Sequence, residues 1–179
     1  MRPKTTIFLA VSLDGFIAEE DGGVGWLDAF HDPEGTDDFG YGALMASADA
    51  LLMGRNSWDT VRQFTPWPYA GTPIYVRTRR PLTGENGEEA VSGSIGDILD
   101  ELASRGHKHV YIDGGITAQD ALNEGLVDEV TITTAPIVLG RGIPLFRSGW
   151  GPHRWTLLKT HHNLRANLSQ ATYAPRPPE

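Results

Sequence analysis

The pair Gly114-Gly115 stands where a ligand could touch the backbone. The apolar run Val110–Ile112 before it is typical of a buried strand, and Ala118–Leu122 after it has the apolar spacing of a helix face. Adjacent glycines allow a sharp turn and a close approach to the main chain. Free N–H groups at a helix start favour an anion. The pattern predicts a phosphate-binding turn, with a purely structural tight turn as the alternative.

A second glycine, Gly54, repeats this arrangement with an arginine behind it. The apolar run Ala50–Met53 predicts a buried strand, and Asn56 or Ser57 is expected to cap the helix that follows. The guanidinium of Arg55 beside the N–H groups of a helix start can hold a phosphate. A capped helix with a solvated arginine is the alternative.

Three arginines follow the third predicted strand, Pro73–Thr78, in a chain that is otherwise acidic. The segment reads Arg77, Thr78, Arg79 and Arg80. Arginine near a ribose 2′-position accommodates the extra phosphate of NADP, whereas an acidic residue there binds the hydroxyl of NAD. The segment therefore predicts an NADP site, and a solvated run of charges is the alternative.

A carboxylate and two further loops complete the candidate chemistry. Asp14 ends the first predicted strand, Thr5–Leu13, beside a glycine-rich acidic loop, where it could bind or protonate a substrate. A structural turn aspartate is the alternative. Arg141 lies in the loop Ala135–Pro144, which could close over an anionic ligand or serve structure alone.

Bulk properties exclude several classes of function. A net charge of −8 argues against a general nucleic-acid or anionic-membrane surface, and no run is long enough to span a bilayer. The absence of cysteine excludes disulfides, thiolate metal sites and a cysteine nucleophile. The histidines lack a convincing third ligand, so no metal site is expected. No secretion signal is evident, and we expect a cytoplasmic protein.

Strands alternate with helices until residue 134, and strands alone follow. Ser94 is expected to cap a helix that ends at Gly106. Two final strands, Trp155–Thr160 and Leu164–Thr172, are expected to form a hairpin around residues 161–163. This order predicts an α/β fold with a largely parallel sheet and an antiparallel edge. We expect one domain over residues 1–174 and a frayed proline-rich tail over residues 175–179.

The motifs in this order resemble the dihydrofolate-reductase-like superfamily. The similarity is greatest to its branch related to the reductase domain of bifunctional riboflavin-biosynthesis proteins. The matching segments are Ser12–Ala18, Leu52–Trp58, Ile112–Gly115 and Ala135–Gly140. The resemblance implies a three-layer sandwich whose mixed, mostly parallel sheet has helices on both faces and binds NADP(H) along the carboxyl ends of its strands. It also implies a homodimer formed through the sheet edge.

The resemblance implies a role for each matching position. Cofactor binding is implied for Ala10, Ile17, Gly54, Arg55, Asn56, Ser57, Arg77, Thr78, Arg79, Gly114, Gly115, Ile116 and Thr117. Trp26 resembles the tryptophan at the edge of the folate site. Where folate reductases carry an acid five residues later, this chain has His31, followed by Asp32. Asp14, Asp32 or a water near Trp26 is expected to deliver the proton, and Asp14 is favoured.

The substrate half of the pattern departs from both relatives. The Asp-Asp-Pro segment and the Asn-Ser-Arg-Trp segment of riboflavin-pathway reductases are missing. The leading hypothesis is an NADPH-dependent reductase of a small pteridine-like or aminopyrimidine-like heterocycle. The alternative is a nucleotide-binding or sensing module that kept the cofactor cleft without turnover. A nucleotide hydrolase or transferase is a further rival, but the sequence shows neither a metal-binding acid cluster nor a nucleophile for one.

Overall fold

The computed structural model describes residues 1–149 and 153–176. Within these ranges the strands are β1 Lys4–Ser12, β2 Phe16–Ala18, β3 Ala50–Gly54, β4 Ile74–Arg77, β5 Glu89–Val91, β6 His109–Asp113, β7 Glu129–Ala135, β8 Ile143–Pro144, β9 Trp155–Asn163 and β10 Leu168–Pro175. The α-helices are α1 Tyr41–Ser47, α2 Arg55–Val61, α3 Ile95–Ser104 and α4 Gly115–Asn123, and a short 3-10 helix spans Gly25–Ala29.

One mixed sheet organises the molecule. Its strand order is β5-β4-β3-β6-β1-β7-β10-β9, and β2 pairs with β8 in a separate ribbon. The pairs from β5 to β7 are parallel, whereas β10 runs antiparallel to both β7 and β9. The parallel sheet with an antiparallel edge confirms the predicted architecture. Because parallel strands share a direction, the carboxyl ends of β1, β3, β4 and β6 meet at one edge of the sheet.

Helices cover both faces of the sheet, and strand β3 shows why. Ala50 and Leu52 belong to a core cluster that includes α3 and α4, whereas Leu51 and Met53 belong to a cluster that includes α1 and α2. Successive strand residues point to opposite faces, so a continuously apolar strand needs cover on both sides. All four side chains are fully buried. The strand is thus fixed between two layers of helices.

Several local expectations need correction. Helix α2 begins at Arg55 after Gly54 and has no side-chain cap, so neither Asn56 nor Ser57 caps it. The final hairpin turns at residues 164–167 rather than 161–163, because β9 continues to Asn163 and Asn167 adopts a left-handed φ of 56°.

Two further differences concern short elements and the tail. Pro175, the first residue of the expected tail, is still paired in β10, opposite Trp155. Residues 177–179 of the tail lie outside the described ranges. The short strands β2, β5 and β8 were not predicted, because two or three residues are too few for a pattern.

The turns after β3 and β6 touch each other at their glycines. Gly114 has a φ of +87°, and a Cβ atom there would overlap with the side chain of Ser57. A Cβ atom at Gly54 would lie 2.9 Å from Thr117 Oγ1. Each turn therefore packs against the first turn of the other's helix. Side chains at either glycine would separate the two helix starts.

We expect Gly114→Ala to lower the free energy of unfolding by about 2 kcal/mol more than Gly106→Ala does. Both residues have a positive φ, which costs a non-glycine residue about 1–2 kcal/mol. Nothing lies within 4 Å of a Cβ atom at Gly106, so only Gly114 adds a clash. Urea denaturation of both variants measures the difference. Equal destabilisation would show that the two turns do not need this close contact.

Candidate functional site

A cleft of about 860 Å³ lies at the carboxyl ends of the parallel strands. It is bordered by the ends of β1, β3, β4 and β6 and by the starts of α2 and α4. All thirteen positions for which the resemblance implies cofactor binding line this one cleft, namely Ala10, Ile17, Gly54, Arg55, Asn56, Ser57, Arg77, Thr78, Arg79, Gly114, Gly115, Ile116 and Thr117. The structure therefore brings together residues that are up to 107 positions apart in the sequence, between Ala10 and Thr117.

The turn between β6 and α4 offers backbone donors to this cleft. Helix α4 begins at Gly115, and its N-cap residue Gly114 makes no side-chain capping hydrogen bond. The first N–H groups of a helix have no partner within the helix and favour an anion. Gly115 packs against Ile17 and Ile143, where a Cβ atom would lie 3.1 and 3.2 Å from their side chains. The start of α4 thus has no capping side chain, and the two isoleucines that pack against Gly115 also line the cleft.

The arginine of the other turn is held in place by neighbours. Arg55 Nε donates to both carboxylate oxygens of Asp59, at 3.0 and 2.9 Å, and its Nη1 donates to the carbonyl of Pro81 at 3.0 Å. Its guanidinium carbon lies 5.0 Å from the ring centroid of Trp58, a cation–π distance. Arg55 therefore enters the cleft pre-oriented, with part of its charge already balanced by Asp59.

The arginines after β4 divide into two kinds. Arg77 pairs with Asp120 at 2.5 Å, and Arg147 pairs with the same carboxylate at 3.0 Å. Arg80 lies 3.8 Å from Asp59. Arg79 is exposed and forms no ion pair or hydrogen bond with any residue that the structure describes. Arg79 is therefore the cation of this segment that is free to meet a ligand.

An acid that the sequence interpretation did not single out lies in the cleft. Asp113 ends β6, directly before the glycine pair, and lines the cleft together with Tyr69. The Tyr69 hydroxyl donates to Asp113 Oδ2 at 3.4 Å. The Tyr111 hydroxyl lies 3.3 Å from Asp113 Oδ1 and 3.0 Å from the carbonyl oxygen of Phe8. The sequence does offer one signal for Asp113, because it ends a predicted strand beside a predicted ligand-binding turn. No sequence pattern indicates a role for Tyr69.

The surroundings of this acid favour its protonated form. Burial raises the pKa of Asp113 above its ordinary value, and hydrogen bonds from the Gly114 backbone, Tyr111 and Tyr69 offset only part of the effect. Burial, together with the nearby Asp113 charge, raises the pKa of Tyr69 and of Tyr111, so both hydroxyls remain donors. The cleft thus contains a carboxyl group that holds its proton to a higher pH than an ordinary aspartic acid does.

The two aspartates expected to deliver a proton lie elsewhere. Asp14 is exposed and accepts hydrogen bonds from Ser12 Oγ at 2.6 Å and from the backbone N–H groups of Leu139 and Gly140 at 3.1 and 2.7 Å. Chiefly because of the bond from Ser12, the pKa of Asp14 lies below its ordinary value. The structure uses Asp14 to fasten the loop after β7, and it is absent from the lining of the cleft.

Asp32 is likewise fully engaged by its own loop. Its carboxylate accepts from the hydroxyl of Thr36 at 2.8 Å and from three backbone N–H groups at 2.9–3.2 Å. The Thr36 hydroxyl contributes most to holding the pKa of Asp32 below its ordinary value. Like Asp14, Asp32 does not line the cleft. The structure therefore does not bring these two acids together with the cofactor-type residues.

Trp26 lies beneath the edge of the cleft rather than in it. It belongs to the 3-10 helix Gly25–Ala29, whose Leu27 lines the cleft, and it is 8% exposed. Its indole Nε1 is buried and has no hydrogen-bond acceptor in the part of the chain that the structure describes. An unpaired buried donor is unusual. Trp26 thus keeps one donor available beside the cleft.

Neither a metal cluster nor a membrane helix occurs in the described ranges. No group of three or more histidine and acidic side chains is placed to hold a metal ion there. No helix among those residues is long and apolar enough to cross a bilayer.

A family model and close relatives match this chain. The model of the RibD C-terminal domain matches residues 3–166. Protein YwjB of Bacillus subtilis (strain 168) is 36% identical over 149 residues, which are 82% of this chain and 84% of YwjB. The crystal structure of a Shewanella sp. PV-4 protein assigned to riboflavin biosynthesis superposes with a TM-score of 0.87 at 36% identity, covering 99% of this chain and 100% of that one.

More distant structures share the fold. A deaminase/5-amino-6-(5-phosphoribosylamino)uracil reductase of Thermotoga maritima gives a TM-score of 0.72 at 16% identity, covering 98% of this chain and 57% of that chain. Dihydrofolate reductase of Enterococcus faecalis, complexed with NADP(H), gives 0.66 at 15% identity, covering 97% of each chain. These two similarities confirm the predicted dihydrofolate-reductase-like fold alone. The family match over residues 3–166 goes further: this chain belongs to the family of the RibD C-terminal domain.

Proposed function

We propose that this protein is an NADPH-dependent reductase of a small pteridine-like or aminopyrimidine-like heterocycle. The observation that carries the proposal is the single cleft in which two uncapped helix starts, a free arginine and a buried acid meet. Its family contains reductase domains of the riboflavin pathway, which supports the reaction class. The predicted cytoplasmic location and the boundary of one domain at residue 174 stay predictions.

The cleft fits an elongated dinucleotide phosphate. The bare start of α4 would hold the pyrophosphate, because its N–H groups face the cleft and no side chain caps them. Arg55 and the start of α2 would hold a neighbouring phosphate oxygen. Arg79 would meet the 2′-phosphate, since Arg77 is already neutralised by Asp120. When bound, the nicotinamide supplies the two electrons of the reduction as a hydride.

The protein itself must supply the proton and exclude water from the site. Asp113 is the acid in the cleft whose pKa is raised, so it can donate where Asp14 and Asp32 remain ionised. Tyr69 and Tyr111 hold its carboxyl group from both oxygens and fix its direction. We therefore propose Asp113 as the proton donor. Ala10 and Ile17 would pack against the ring that faces it.

We expect NADPH to raise the melting temperature more than NADH does, and Arg79→Glu to abolish the difference. Loss of one arginine–phosphate contact costs about 1.5–3 kcal/mol, which is roughly a 10-fold to 100-fold weaker Kd for NADPH. Thermal shift and fluorescence titration of both cofactors measure the effect. Arg80→Glu changes the same charge at the neighbouring position, which does not line the cleft, and should retain the preference. If Arg79→Glu still prefers NADPH, the 2′-phosphate is held elsewhere.

We expect Asp113→Asn to lower kcat by about 10²–10⁴, the usual contribution of a positioned general acid. In the native protein kcat should fall as the pH rises through the raised pKa of Asp113, because the carboxyl group then loses its proton. The variant should lack this decline. Stopped-flow oxidation of NADPH across pH 5–9 tests both points.

Tyr69→Phe and Asp32→Asn give matched comparisons for this assignment. Removing the Tyr69 hydroxyl takes a donor from the carboxylate, so the pKa of Asp113 should rise and the decline in kcat should move to higher pH. Asp32→Asn should leave the shape of the pH profile intact. A profile that loses its decline in Asp32→Asn, but keeps it in Asp113→Asn, would assign the proton to Asp32. Cofactor binding without turnover of any heterocycle would favour the sensing module.

We also propose a homodimer formed through the free edge of β9. This strand pairs only with β10 among the described strands, and it exposes Leu157 and Leu158 by 55% and 53% on opposite faces. An open edge with apolar side chains tends to pair with another chain. A second copy could extend the sheet or cover either leucine.

Light scattering should give twice the 19.5 kDa mass of one chain. The double variant Leu157→Asp/Leu158→Asp should shift the protein to a monomer, because two charges would then be buried at the interface. Leu164→Asp serves as the control, since Leu164 is 91% exposed in the hairpin turn. A native protein that elutes as a monomer at 50 µM would contradict the dimer.

A further inference from the structure

Within the function proposed above, on which this step rests, we infer that the substrate is an uncharged flat heterocycle without a phosphate or carboxylate tail. The inference follows from the distribution of charge along the cleft. All its basic side chains lie at the end assigned to the cofactor, whereas the opposite end combines apolar walls with one acid, Asp113.

The two ends of the cleft are separated by the sheet itself. Strands β4 and β1 are three positions apart in the order β4-β3-β6-β1, which places their ends roughly 14 Å apart. Arg77 ends β4 and Arg79 follows it, whereas Phe8 lies on β1. Along α2, Arg55 is the first residue and Gln63 lies beyond the last turn, about 12 Å away along the helix axis. We call the region of Phe8, Leu27, Gln63, Phe64, Tyr69 and Asp113 the substrate end.

The substrate end contains no cation among the described residues. Arg55, Arg77 and Arg79 are the described basic residues that line the cleft, and all three lie at the end assigned to the cofactor; no described lysine or histidine lines it. The residues outside the described ranges, numbers 150–152 and 177–179, include no lysine, arginine or histidine in the sequence. Glu20, Asp21 and Asp113 line the cleft as acids, and Asp113 belongs to the substrate end. A phosphate brought to the substrate end would therefore meet no counter-charge.

Arginines on the adjoining segments are directed to other partners. Arg62 is exposed, and its guanidinium carbon lies 4.5 Å from the ring centroid of Trp58, against which it stacks. Arg141 lies in the loop before β8, where it pairs with Glu20 at 3.5 Å. Neither lines the cleft. Neither side chain therefore places its charge in the cleft.

The missing cation separates this chain from enzymes that act on phosphorylated substrates. The Thermotoga maritima relative is named for a phosphoribosylamino-uracil, whose phosphate carries up to two negative charges near neutral pH. Placing such a group where no counter-charge lies costs the loss of its water without an ion pair in return. Dihydrofolate carries carboxylates at its tail and meets the same obstacle. An uncharged ring system avoids this cost.

The walls of the substrate end suit a planar ring. Phe8 and Leu27 are partly buried, Phe64 is half exposed, and Tyr69 is buried with only its cleft side accessible. Aromatic side chains stack on flat heterocycles and contribute area without charge. Asp113 adds one polar group that can pair with a ring N–H group. The substrate end therefore favours a flat ring and disfavours charged groups.

Two matched pairs of compounds test the inference by calorimetric measurement of their binding to the protein saturated with NADP⁺. One pair is 5-amino-6-(ribosylamino)uracil with and without its 5-phosphate. The other is 6-methyl-7,8-dihydropterin against dihydrofolate. We expect the uncharged member of at least one pair to bind, and to bind at least about tenfold more tightly than its charged partner. Equal or tighter binding of the charged members overturns the inference, and so does binding of neither pair.

A charge placed at the substrate end gives a second, independent measurement. Gln63→Arg should raise the affinity for the phosphorylated uracil about tenfold while leaving the unphosphorylated form within twofold. Gln63→Met, of similar length without charge, should change neither. A gain of the same size in Gln63→Met, or no gain in Gln63→Arg, contradicts the missing-cation argument.

The experiment separates this inference from the proposed function. If NADP⁺ and NADPH give no thermal shift, the proposed function has failed before any substrate is added. If NADPH binds and is oxidised by a phosphorylated compound in preference to its uncharged partner, the reductase stands and the inference on the substrate is overturned.

Discussion

The close contact between the turns after β3 and β6 is the constraint on which the cleft depends. With no side chain at Gly54 or Gly114, the starts of α2 and α4 reach the same edge of the sheet and stand side by side. Two sets of free N–H groups then face the same cleft. If the two helices were farther apart, each helix start would face a separate space. Buried β3 makes this possible, because apolar side chains on both faces hold the strand between the helix layers.

The charge along the cleft depends on ion pairs that also hold the fold together. Asp59 orients Arg55, and Asp120 binds both Arg77 and Arg147, so that two of the three cleft arginines also tie elements together. An arginine that holds its own neighbour has less electrostatic attraction left for a ligand than a free one. Arg79 is the residue in this set without such a partner among the described residues. The structure therefore divides these arginines into two groups. Arg55 and Arg77 also hold neighbouring elements together, whereas Arg79 has no such role among the described residues.

Much of this arrangement could be predicted from the sequence, and the reason is local. The apolar strand, the glycine and the helix start are adjacent in the sequence. The turns at Gly54 and Gly114 could therefore be recognised without knowledge of the fold. Partners such as Asp120 for Arg77, or Tyr69 for Asp113, are 43 and 44 residues away and are defined only by packing. The expected cap by Ser57 was wrong because helix α2 already begins at Arg55, which places Ser57 inside its first turn, beside Gly114.

The three acids differ in how burial and hydrogen-bond donors balance. Asp14 and Asp32 stand in turns, where local reasoning expects exposed carboxylates, and turns also supply backbone N–H groups that keep a carboxylate ionised. Asp113 also accepts hydrogen bonds, but burial outweighs their effect on its pKa. A strand end in the middle of a parallel sheet is covered on both sides, which explains this burial. Asp113 nevertheless faces the cleft, because the glycine pair that follows it carries no side chain to cover it.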